Sequence, residues 1–581
     1  MENTVQYSAR ILSSLEKVFI DQKPEGGFPG ARGAEFTALR NETFSFQVSY
    51  TCDGRVCPFG TVRVESPIRE YCRIREVRYV PSVRPVNPEF DDHYLRTQPG
   101  LYPDLLTELL EAPVSAGQTS GGQVSGGQTS GSPAETGGQV QFWANKQKSL
   151  WIDVEIPADG MTGTFPIAVI FSSKEGEEWC RAETTLSIGR TVLKPQKLIH
   201  TEWFHGDCLA DYYGVPVFSE RHWEIMEAFI RTAAERGCNM ILTPQFTPPL
   251  DTAPGGERTT IQLVDVKVLP DGSYEFGFDR LKRWVEMCQG CGMTYFEMSH
   301  LFTQWGAAHA PKIMAEKDGK LQQIFGWDDP AAGGSYTEFL GSYLPQLTKK
   351  LKEWGIAEVT RFHISDEPRK EHLTSYKAAK ESVAGYLEGF VIMDAISDLE
   401  ICREGGIDCP VCANNHIAPF LEAGVKPLWG YYCTSQCVDV SNRFMAMPSA
   451  RNRIFGIQAF LYELEGFLHW GYNFYNSQFS VRRLNPYCTN DADGAFPSGD
   501  PFLVYPGKDG KPEESIRLMV LSHMMQDVRA MEQLAEQKGR EFVVSLIEDG
   551  LEERITFGRY PKSAEWILKV RNRVNEELEA L

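Results

Sequence analysis

The sequence has 581 residues, of which 42% are hydrophobic and 12% aromatic, so it is long enough to bury more than one core. Its formal charge of −20, from 78 acidic and 58 basic residues, disfavours a nucleic acid or an anionic membrane as partner and suits a neutral substrate. No run of about 18 apolar residues occurs, and the first residues lack a cationic segment followed by an apolar one. We therefore expect a cytoplasmic multidomain enzyme without membrane insertion.

Residues 1–195 alternate short β-rich runs, such as FSFQVSYTC, SLWIDVEI and FPIAVIFSS, with Gly, Pro and Asp turns. This spacing predicts an antiparallel β-sandwich, which we interpret as an accessory domain. Residues 115–139 inside it repeat Ser-Gly-Gly-Gln with Thr or Val and are too polar and too rich in glycine to pack. They are predicted to be a disordered surface insertion.

Residues 196–510 alternate β-rich runs with amphipathic helical patterns, several of which end in glycine. Eight strands with intervening helices predict a closed (β/α)8 barrel of the TIM type, in which catalytic groups lie at the carboxyl ends of the strands. The candidate strands are 198–204, 239–244, 293–299, 360–365, 389–396, 410–415, 426–432 and 466–475.

Residues 511–581 return to helical patterning, with apolar residues three and four positions apart. We expect helices that close the barrel or pack beneath it, and the sequence leaves the oligomeric state open. The overall prediction is a multidomain protein of α/β plus β class: a sandwich, then a (β/α)8 barrel, then C-terminal helices.

Two CxxC pairs, Cys288/Cys291 and Cys409/Cys412, have the spacing of zinc ligands. In the predicted barrel they precede strands three and six, on opposite sides, so packed reduced thiols are favoured over one shared site. We predict neither a metal nor another cofactor.

The fourth predicted strand runs into two adjacent carboxylates in the sequence HISDEP, where Asp366 and Glu367 precede Pro368. Mutual repulsion favours one protonated and one ionised acid, which is the division of roles that sugar hydrolysis requires. A solvated turn before a helix is the alternative interpretation of the motif alone.

Aromatic and amide side chains gather at the other strand ends. Aromatic faces stack on the C–H faces of sugar rings, and polar groups bind hydroxyls, although any single one of these residues also suits core packing. The candidate substrate-binding residues here are Trp203 and His205 after strand one; His300, Gln304 and Trp305 after strand three; Tyr431 and Tyr432 in strand seven; and Trp470, Tyr472 and Asn473 in strand eight.

The predicted end of strand seven carries no acid, and the next one, Asp439, lies several residues further on. A retaining glycosidase with an enzyme nucleophile needs a second carboxylate about 5 Å across the site. With only the adjacent pair available, the simpler mechanism uses the 2-acetamido group of the sugar as nucleophile. Glu367 then protonates the leaving oxygen and Asp366 orients the acetamido nitrogen, while a tyrosine hydroxyl holds the acetamido oxygen.

The runs ILTPQFTPPLDT, FEMSHLFTQWGA, HISDEP and GDPFLVYPG resemble glycoside hydrolase family 123, over residues 199 to about 510. The resemblance implies substrate-assisted, retaining hydrolysis by Asp366 and Glu367 on a (β/α)8 barrel. It also implies β-N-acetylgalactosaminidase activity on glycosphingolipid-type glycans and places the run containing Asp500 at the rim of the sugar site.

Several points stay open at this stage. His205, His300 and Asp500 are the candidate readers of the C4 hydroxyl, which is axial in galactosamine and equatorial in glucosamine. The alternatives to the β-N-acetylgalactosaminidase are a β-N-acetylglucosaminidase, another glycosidase on the same barrel, including one with an enzyme nucleophile, or a non-catalytic glycan-binding protein. In each case the expected partner is a glycan.

Overall fold

The structure is a computed structural model that describes residues 5–24, 35–55, 57–110 and 137–580. Two facing β-sheets are followed by a closed parallel barrel with helices and then by C-terminal helices. This order confirms the predicted fold class. The domain boundaries at residues 195 and 510 stay predictions.

The N-terminal part forms two five-stranded sheets with a hydrophobic core between them. Its strands are β1 (Tyr7–Ser13), β2 (Glu35–Arg40), β3 (Glu42–Cys52), β4 (Phe59–Glu65), β5 (Cys72–Ser82), β6 (Gly100–Glu108), β7 (Gly137–Gln141), β8 (Lys148–Ile156), β9 (Gly163–Ser172) and β10 (Glu178–Val192).

The strand order is β1-β3-β8-β5-β6 in one sheet and β2-β10-β9-β4-β7 in the other. Neighbouring strands are antiparallel except β2 and β10, which pair in parallel at a sheet edge. Part of the predicted insertion, residues 137–139, belongs to β7, so that boundary was drawn three residues too late. Residues 115–136 lie outside the described residues.

The remaining strands include the eight of the barrel, in the order β11-β12-β15-β18-β19-β20-β21-β22. They are β11 (Ile199–Glu202), β12 (Met240–Thr243), β13 (Asp265–Val268), β14 (Tyr274–Gly277), β15 (Tyr295–Met298), β16 (Ile313–Lys317), β17 (Lys320–Phe325), β18 (Thr360–Phe362), β19 (Val391–Ala395), β20 (Cys409–Ala413), β21 (Trp429–Tyr431), β22 (Gly466–His469), β23 (Val504–Pro506) and β24 (Pro512–Glu514).

Seven barrel strands fall inside their predicted segments, and the sixth, β20, begins one residue before its predicted start at 410. Every strand pairs in parallel with its neighbours. The strands are short and mostly buried, because side chains of the barrel interior cover one face and helices cover the other. The fourth strand, β18, ends at Phe362 rather than at the predicted residue 365. The acidic pair therefore lies on a loop four residues beyond the strand.

Helices surround the barrel and continue to the C-terminus. They are α1 (Gly206–Tyr213), α2 (Glu220–Glu235), α3 (Asp279–Cys291), α4 (Ser335–Glu353), α5 (Leu373–Ala384), α6 (Leu399–Gly405), α7 (Ala418–Glu422), α8 (Ser449–Leu461), α9 (Ile516–Lys538), α10 (Arg540–Glu548) and α11 (Ala564–Glu579), with 3-10 turns at Arg69–Tyr71, Ala357–Val359, Lys370–His372, Gln478–Ser480 and Lys508–Gly510.

Local chemistry explains the helix ends. The Ser219 side chain caps α2 by accepting from the backbone N–H of His222, and Gly292 ends α3 in the left-handed conformation at φ +106°.

Sequence reasoning missed the sheet β14-β13-β16-β17, which is built from the loops after the second and third barrel strands. Its strands have four to six residues and mixed polarity, so no clear period marks them.

Residues of the first sheet and of the barrel helices also meet in a second hydrophobic cluster, separate from the core between the two sheets. Tyr102 and Leu105 of β6 and Trp151 of β8 belong to the cluster that also contains Met524 of α9 and Phe455 of α8. The helix α9 lies between the barrel helices and the first sheet, so its buried residues occupy most of its circumference. Among the described residues, no helix is both long and apolar enough to cross a membrane.

Candidate active site

Asp366 and Glu367 lie on the loop that follows β18, at the carboxyl end of the barrel. Asp366 is half-buried and Glu367 is exposed. Glu367 has φ +44°, a left-handed conformation that is costly for a residue with a side chain and that concentrates at functional sites. The backbone N–H of Trp305 donates to the carbonyl oxygen of Asp366 at 2.9 Å, which ties this loop to the one after β15.

Tyr431, at the end of the seventh strand, faces Glu367. Its hydroxyl donates to Glu367 Oε1 at 2.6 Å. Burial and the negative charge of Glu367 raise the pKa of Tyr431 well above its usual range, so the hydroxyl keeps its proton and remains a donor. The structure thus brings together three of the predicted site residues, Asp366, Glu367 and Tyr431.

The two acids are electrostatically coupled. Burial and the charge of Glu367 raise the pKa of Asp366 well above its usual range, and Asp394 adds to this while His363 opposes it. Two interacting carboxyl groups titrate as a pair rather than as separate residues. This pair therefore retains one proton over a wider pH range than isolated carboxyl groups do.

A fully buried layer of charge lies beneath the acids, centred on His363. Nε2 of His363 is 2.9 Å from Glu297 Oε2 on the third strand, and Nδ1 is 3.4 Å from Asp394 Oδ1 on the fifth. Burial alone lowers the pKa of His363, but the interactions with Asp394 and Glu297 outweigh it and raise the pKa to about 9. His363 is therefore an imidazolium between two carboxylates, three residues from Asp366.

Each carboxylate of this layer has further donors. Trp203 Nε1 donates to Glu297 Oε2 at 3.2 Å, and Tyr376 donates its hydroxyl proton to Asp394 Oδ2 at 2.6 Å. The backbone N–H of Ile364 donates to Asp394 Oδ1 at 2.9 Å, which anchors the start of the acidic loop. Because these bonds join strands three, four and five, they position the loop that carries Asp366.

His300, His363 and Asp394 have ligand atoms within 4.8 Å of one another, which is the spacing of a metal site. The two imidazole rings are stacked, with centroids 4.3 Å apart and planes 21° from parallel. The lone pairs of imidazole lie in the ring plane, so two stacked rings do not direct them at one ion. The geometry fits a buried ion pair with a stacked neutral histidine better than it fits a metal centre.

A second polar cluster follows the eighth strand. Trp470 Nε1 donates to Asp500 Oδ2 at 3.0 Å. The other oxygen, Asp500 Oδ1, lies 3.4 Å from His469 Nε2 and is one of the buried polar atoms of the described residues without a hydrogen-bond partner. Burial raises the pKa of Asp500 to about 7, although Arg443 lowers it. The cluster thus presents a half-buried indole beside a buried carboxyl group whose second oxygen faces His469.

Cys433 connects the two clusters. Burial and the charges of Asp500, Glu367 and Asp366 raise the pKa of its thiol well above the usual range. Cys433 follows the seventh strand and Trp470 the eighth, so both lie at the carboxyl ends of parallel strands, as Asp366 does after the fourth. Trp470 and Asp500 therefore belong to the same mouth of the barrel as the acidic pair.

Two other residues predicted to contact sugar, His205 and Asn473, form hydrogen bonds within the protein. His205 Nε2 contacts the carbonyl oxygen of Trp470 at 2.9 Å, and Nδ1 is 3.1 Å from Arg258 Nη2. Asn473 exchanges two hydrogen bonds with the backbone of His205, at 2.8 and 3.0 Å. Burial lowers the pKa of His205 to about 4, so the ring is neutral. Their predicted contact with sugar stays a prediction.

Gln304 and Trp305 lie on the loop after the third strand. Gln304 Oε1 accepts from the backbone N–H of Asp251 at 2.8 Å, and its Nε2 lacks a hydrogen-bond partner among the described residues. Both ring nitrogens of His300 are likewise unpartnered and buried. Trp305 is 38% exposed, so its indole is available at the mouth of the barrel.

Tyr432 and Tyr472 extend into the layer between barrel and helices. The hydroxyl of Tyr432 donates to Asn452 of α8 at 2.9 Å, and that of Tyr472 donates to the carbonyl oxygen of Phe229 in α2 at 2.9 Å. Both side chains are fully buried in the main core. The structure therefore does not bring these two predicted residues together with the acidic pair.

Sequence reasoning missed the layer around His363. The sequence feature that indicates this layer is an acid inside each of two apolar strands, Glu297 in YFEM and Asp394 in VIMDA. A charged residue at an inward position of a barrel strand needs a partner of opposite charge. His363, the first residue after the strand between them, is that partner.

Paired acids at the carboxyl end of a barrel strand, next to a tyrosine hydroxyl and half-buried tryptophan, are the arrangement of a glycoside hydrolase. Residues 203–534 match the model of the glycoside hydrolase 123 catalytic domain. The match spans more than half of the chain, which belongs to glycoside hydrolase family 123. This confirms the family that the sequence motifs indicated.

Comparison with solved structures supports the fold. A family 123 glycoside hydrolase from Clostridium perfringens, analysed for glycolipid glycan hydrolysis, is 13% identical with a TM-score of 0.70, and the match covers 99% of this chain and 98% of that one. A Parabacteroides merdae β-glucuronidase is 10% identical with a TM-score of 0.31, over 92% of this chain and 52% of that one. A search of curated protein sequences gives no match.

Proposed function

We propose that this protein is a retaining exo-glycosidase that releases terminal β-linked N-acetylgalactosamine from glycans by substrate-assisted catalysis. The contact between Tyr431 and Glu367 carries the proposal, because it puts a tyrosine on the seventh strand where a double-displacement enzyme has its nucleophile. Asp439, the first acid after that strand, is exposed and paired with Lys562 at 3.0 Å. It is thus held away from the acidic pair.

In the first step the acetamido oxygen of the substrate attacks its own anomeric carbon, and the glycosidic bond breaks. Glu367 gives its proton to the leaving oxygen, while Asp366 accepts a hydrogen bond from the acetamido N–H and stabilises the oxazolinium charge. In the second step water attacks the anomeric carbon, Glu367 takes the water proton, and the oxazoline ring opens. Two inversions leave the configuration retained.

The pair must carry its proton on Glu367 for this chemistry. In the free enzyme the raised pKa of Asp366 favours the proton there. A bound acetamido N–H donates to the ionised form of Asp366 and lowers the pKa of that carboxyl group. Substrate binding therefore favours the ionised Asp366 that this mechanism needs.

We assign the sugar specificity to the cluster of Trp470 and Asp500, in which the half-buried indole donates to the buried carboxyl group. A site whose polar groups pair with one hydroxyl epimer discriminates against the other, because the wrong epimer leaves a buried polar group unpaired. The Clostridium perfringens family 123 enzyme is described by its hydrolysis of glycolipid glycans, which we propose as the substrate class here, and the preference for galactosamine follows from the resemblance of the sequence motifs to family 123. A β-N-acetylglucosaminidase on the same site is the second candidate, since the acetamido chemistry is identical.

The test compares p-nitrophenyl β-N-acetylgalactosaminide, the β-N-acetylglucosaminide and the plain β-galactoside. We expect turnover of the galactosaminide, none of the plain galactoside, and a loss of about 10²- to 10⁴-fold in Asp366→Asn. Glu367→Gln is expected to lose little with p-nitrophenol, a good leaving group, and far more on an oligosaccharide. Comparable hydrolysis of the plain galactoside would refute the substrate-assisted mechanism.

A further inference from the structure

Trp305 is an exposed aromatic side chain attached to the catalytic loop. Its backbone N–H donates to the carbonyl oxygen of Asp366 at 2.9 Å, while its side chain is 38% exposed. At the same mouth, Tyr431 and Trp203 are buried and Trp470 is half-buried. Trp305 is therefore an aromatic surface that stays open to solvent beside the acids.

Phe479 packs against Trp305 from another loop. The two rings lie edge to face, with centroids 6.1 Å apart and planes at 89°. Phe479 belongs to the turn Gln478–Ser480, which follows the eighth strand, whereas Trp305 follows the third. Two separate loops thus build one right-angled aromatic corner.

Asp251, from the loop after the second strand, holds this corner. Its Oδ2 accepts from the backbone N–H of Phe479 at 3.1 Å, and its carbonyl oxygen accepts from the Ser480 hydroxyl at 2.9 Å. Its own backbone N–H donates to Gln304, the neighbour of Trp305, at 2.8 Å. The positions of both rings are therefore fixed relative to each other by hydrogen bonds.

The corner is also strained. Asp251, Trp305 and Phe479 have φ of +43°, +57° and +59°, all in the left-handed region that disfavours side chains, and Glu367 shares this at +44°. Such strain persists where surrounding contacts over-determine it, and it concentrates at binding sites. Four residues with left-handed backbone at one end of the barrel indicate a binding surface rather than ordinary surface packing.

We propose that Trp305 and Phe479 form the platform for the aglycone sugar, the residue on the leaving-group side of the scissile bond. This inference rests on the proposed function. Trp470 and Asp500 form an enclosed polar cluster that suits the terminal sugar, whereas Trp305 is open to solvent, as the side toward the rest of the glycan must be. The indole face stacks on the C–H face of a pyranose.

The test uses two substrates that differ only on the leaving-group side: a disaccharide of β-N-acetylgalactosamine on galactose, and β-N-acetylgalactosaminyl fluoride, whose leaving group does not reach the platform. In Trp305→Ala we expect kcat/KM for the disaccharide to fall about tenfold, mainly through KM, and kcat/KM for the fluoride to stay within about twofold. Phe479→Ala is expected to show the same pattern more weakly. The matched control is Phe542→Ala, which removes a 39% exposed ring on α10 and should leave both substrates unchanged.

Equal losses on both substrates in Trp305→Ala would overturn the platform, because Trp305 would then only hold the catalytic loop. Unchanged turnover of the disaccharide would overturn it as well. If the wild-type protein hydrolyses neither substrate, the proposed function fails and the platform with it. These results separate a failure of this inference from a failure of the proposed function.

Discussion

At the scale of residues, the acidic loop depends on charges that lie below it. His363 is three positions before Asp366 and is enclosed by Glu297 and Asp394. Its positive charge lowers the pKa of Asp366, against the effects of burial and of Glu367. We assign His363 a positioning role, since it acts on the reaction through Asp366 rather than by touching substrate.

Replacing His363 should therefore change the pH profile. In His363→Gln the positive charge is lost, so the pKa of Asp366 rises and the acidic limb of kcat/KM moves upward by about 1 pH unit. The measurement is kcat/KM of the galactosaminide between about pH 4 and pH 8, a range in which His363, with its pKa of about 9, stays protonated in the wild type.

The control for this variant is His416→Gln, which replaces an exposed histidine after the sixth strand. It should leave the profile unchanged. If His363→Gln lowers the rate uniformly at all pH values, its role is packing alone and the electrostatic assignment is wrong.

At the scale of elements, the sandwich tolerates its long insertion because the insertion begins and ends at one place. The backbone N–H of Gln139 donates to the carbonyl oxygen of Leu110 at 2.8 Å, so the chain leaves the first sheet after β6 and enters the second at β7 between neighbouring residues. The strand β7 then pairs with β4. The intervening segment is thus not needed to span a distance.

Deleting residues 115–135 should have little effect on folding. The ends are already in contact, and shortening a loop changes its closure entropy by about 1 kcal/mol or less. We expect the free energy of unfolding and the activity to stay close to the wild-type values, as measured by urea denaturation and turnover. A deletion that extends through residue 141 removes β7 and should be destabilising. A large loss in the shorter deletion would mean that the insertion packs on the fold.

At the scale of the whole molecule, a buried ion pair links the sandwich to the loop that carries Asp500. Asp104 of β6 binds Arg517 of α9 through two hydrogen bonds, at 2.8 and 2.9 Å. Arg517 also donates to the carbonyl oxygens of Gly499 and Phe502, at 2.5 and 2.6 Å. Because Asp500 lies between these two positions, the accessory sheets help to hold a residue of the proposed sugar site.

Asp104→Asn should affect stability and activity together. It leaves the buried guanidinium of Arg517 without its charge partner, which costs about 3 kcal/mol or more. We expect a lower urea midpoint and weaker substrate binding, because the loop that carries Asp500 loses its anchor. The control is Asp21→Asn, which breaks the half-exposed pair with Arg96 in the same sandwich and should cost about 0.5 kcal/mol. Equal effects of the two variants would contradict the link.

The sequence by itself determined the architecture and the acidic pair. Eight apolar runs separated by helical patterns specify a parallel barrel, because each strand is covered on both faces and each helix on one. Asp366 and Glu367 could be predicted as catalytic residues because adjacent acids before a proline are unusual at the end of an apolar run. The motifs around them identified the family.

Only the tertiary structure decided which strand-end residues face the barrel mouth. Tyr431 contacts Glu367, whereas its neighbour Tyr432 packs against α8, and the run LWGYY has no polar alternation that separates the two. A strand buried on both faces shows no period of two, so its register depends on its neighbours. The ion pairs of His363 and of Arg517 likewise join residues far apart in the chain, and only folding brings them together.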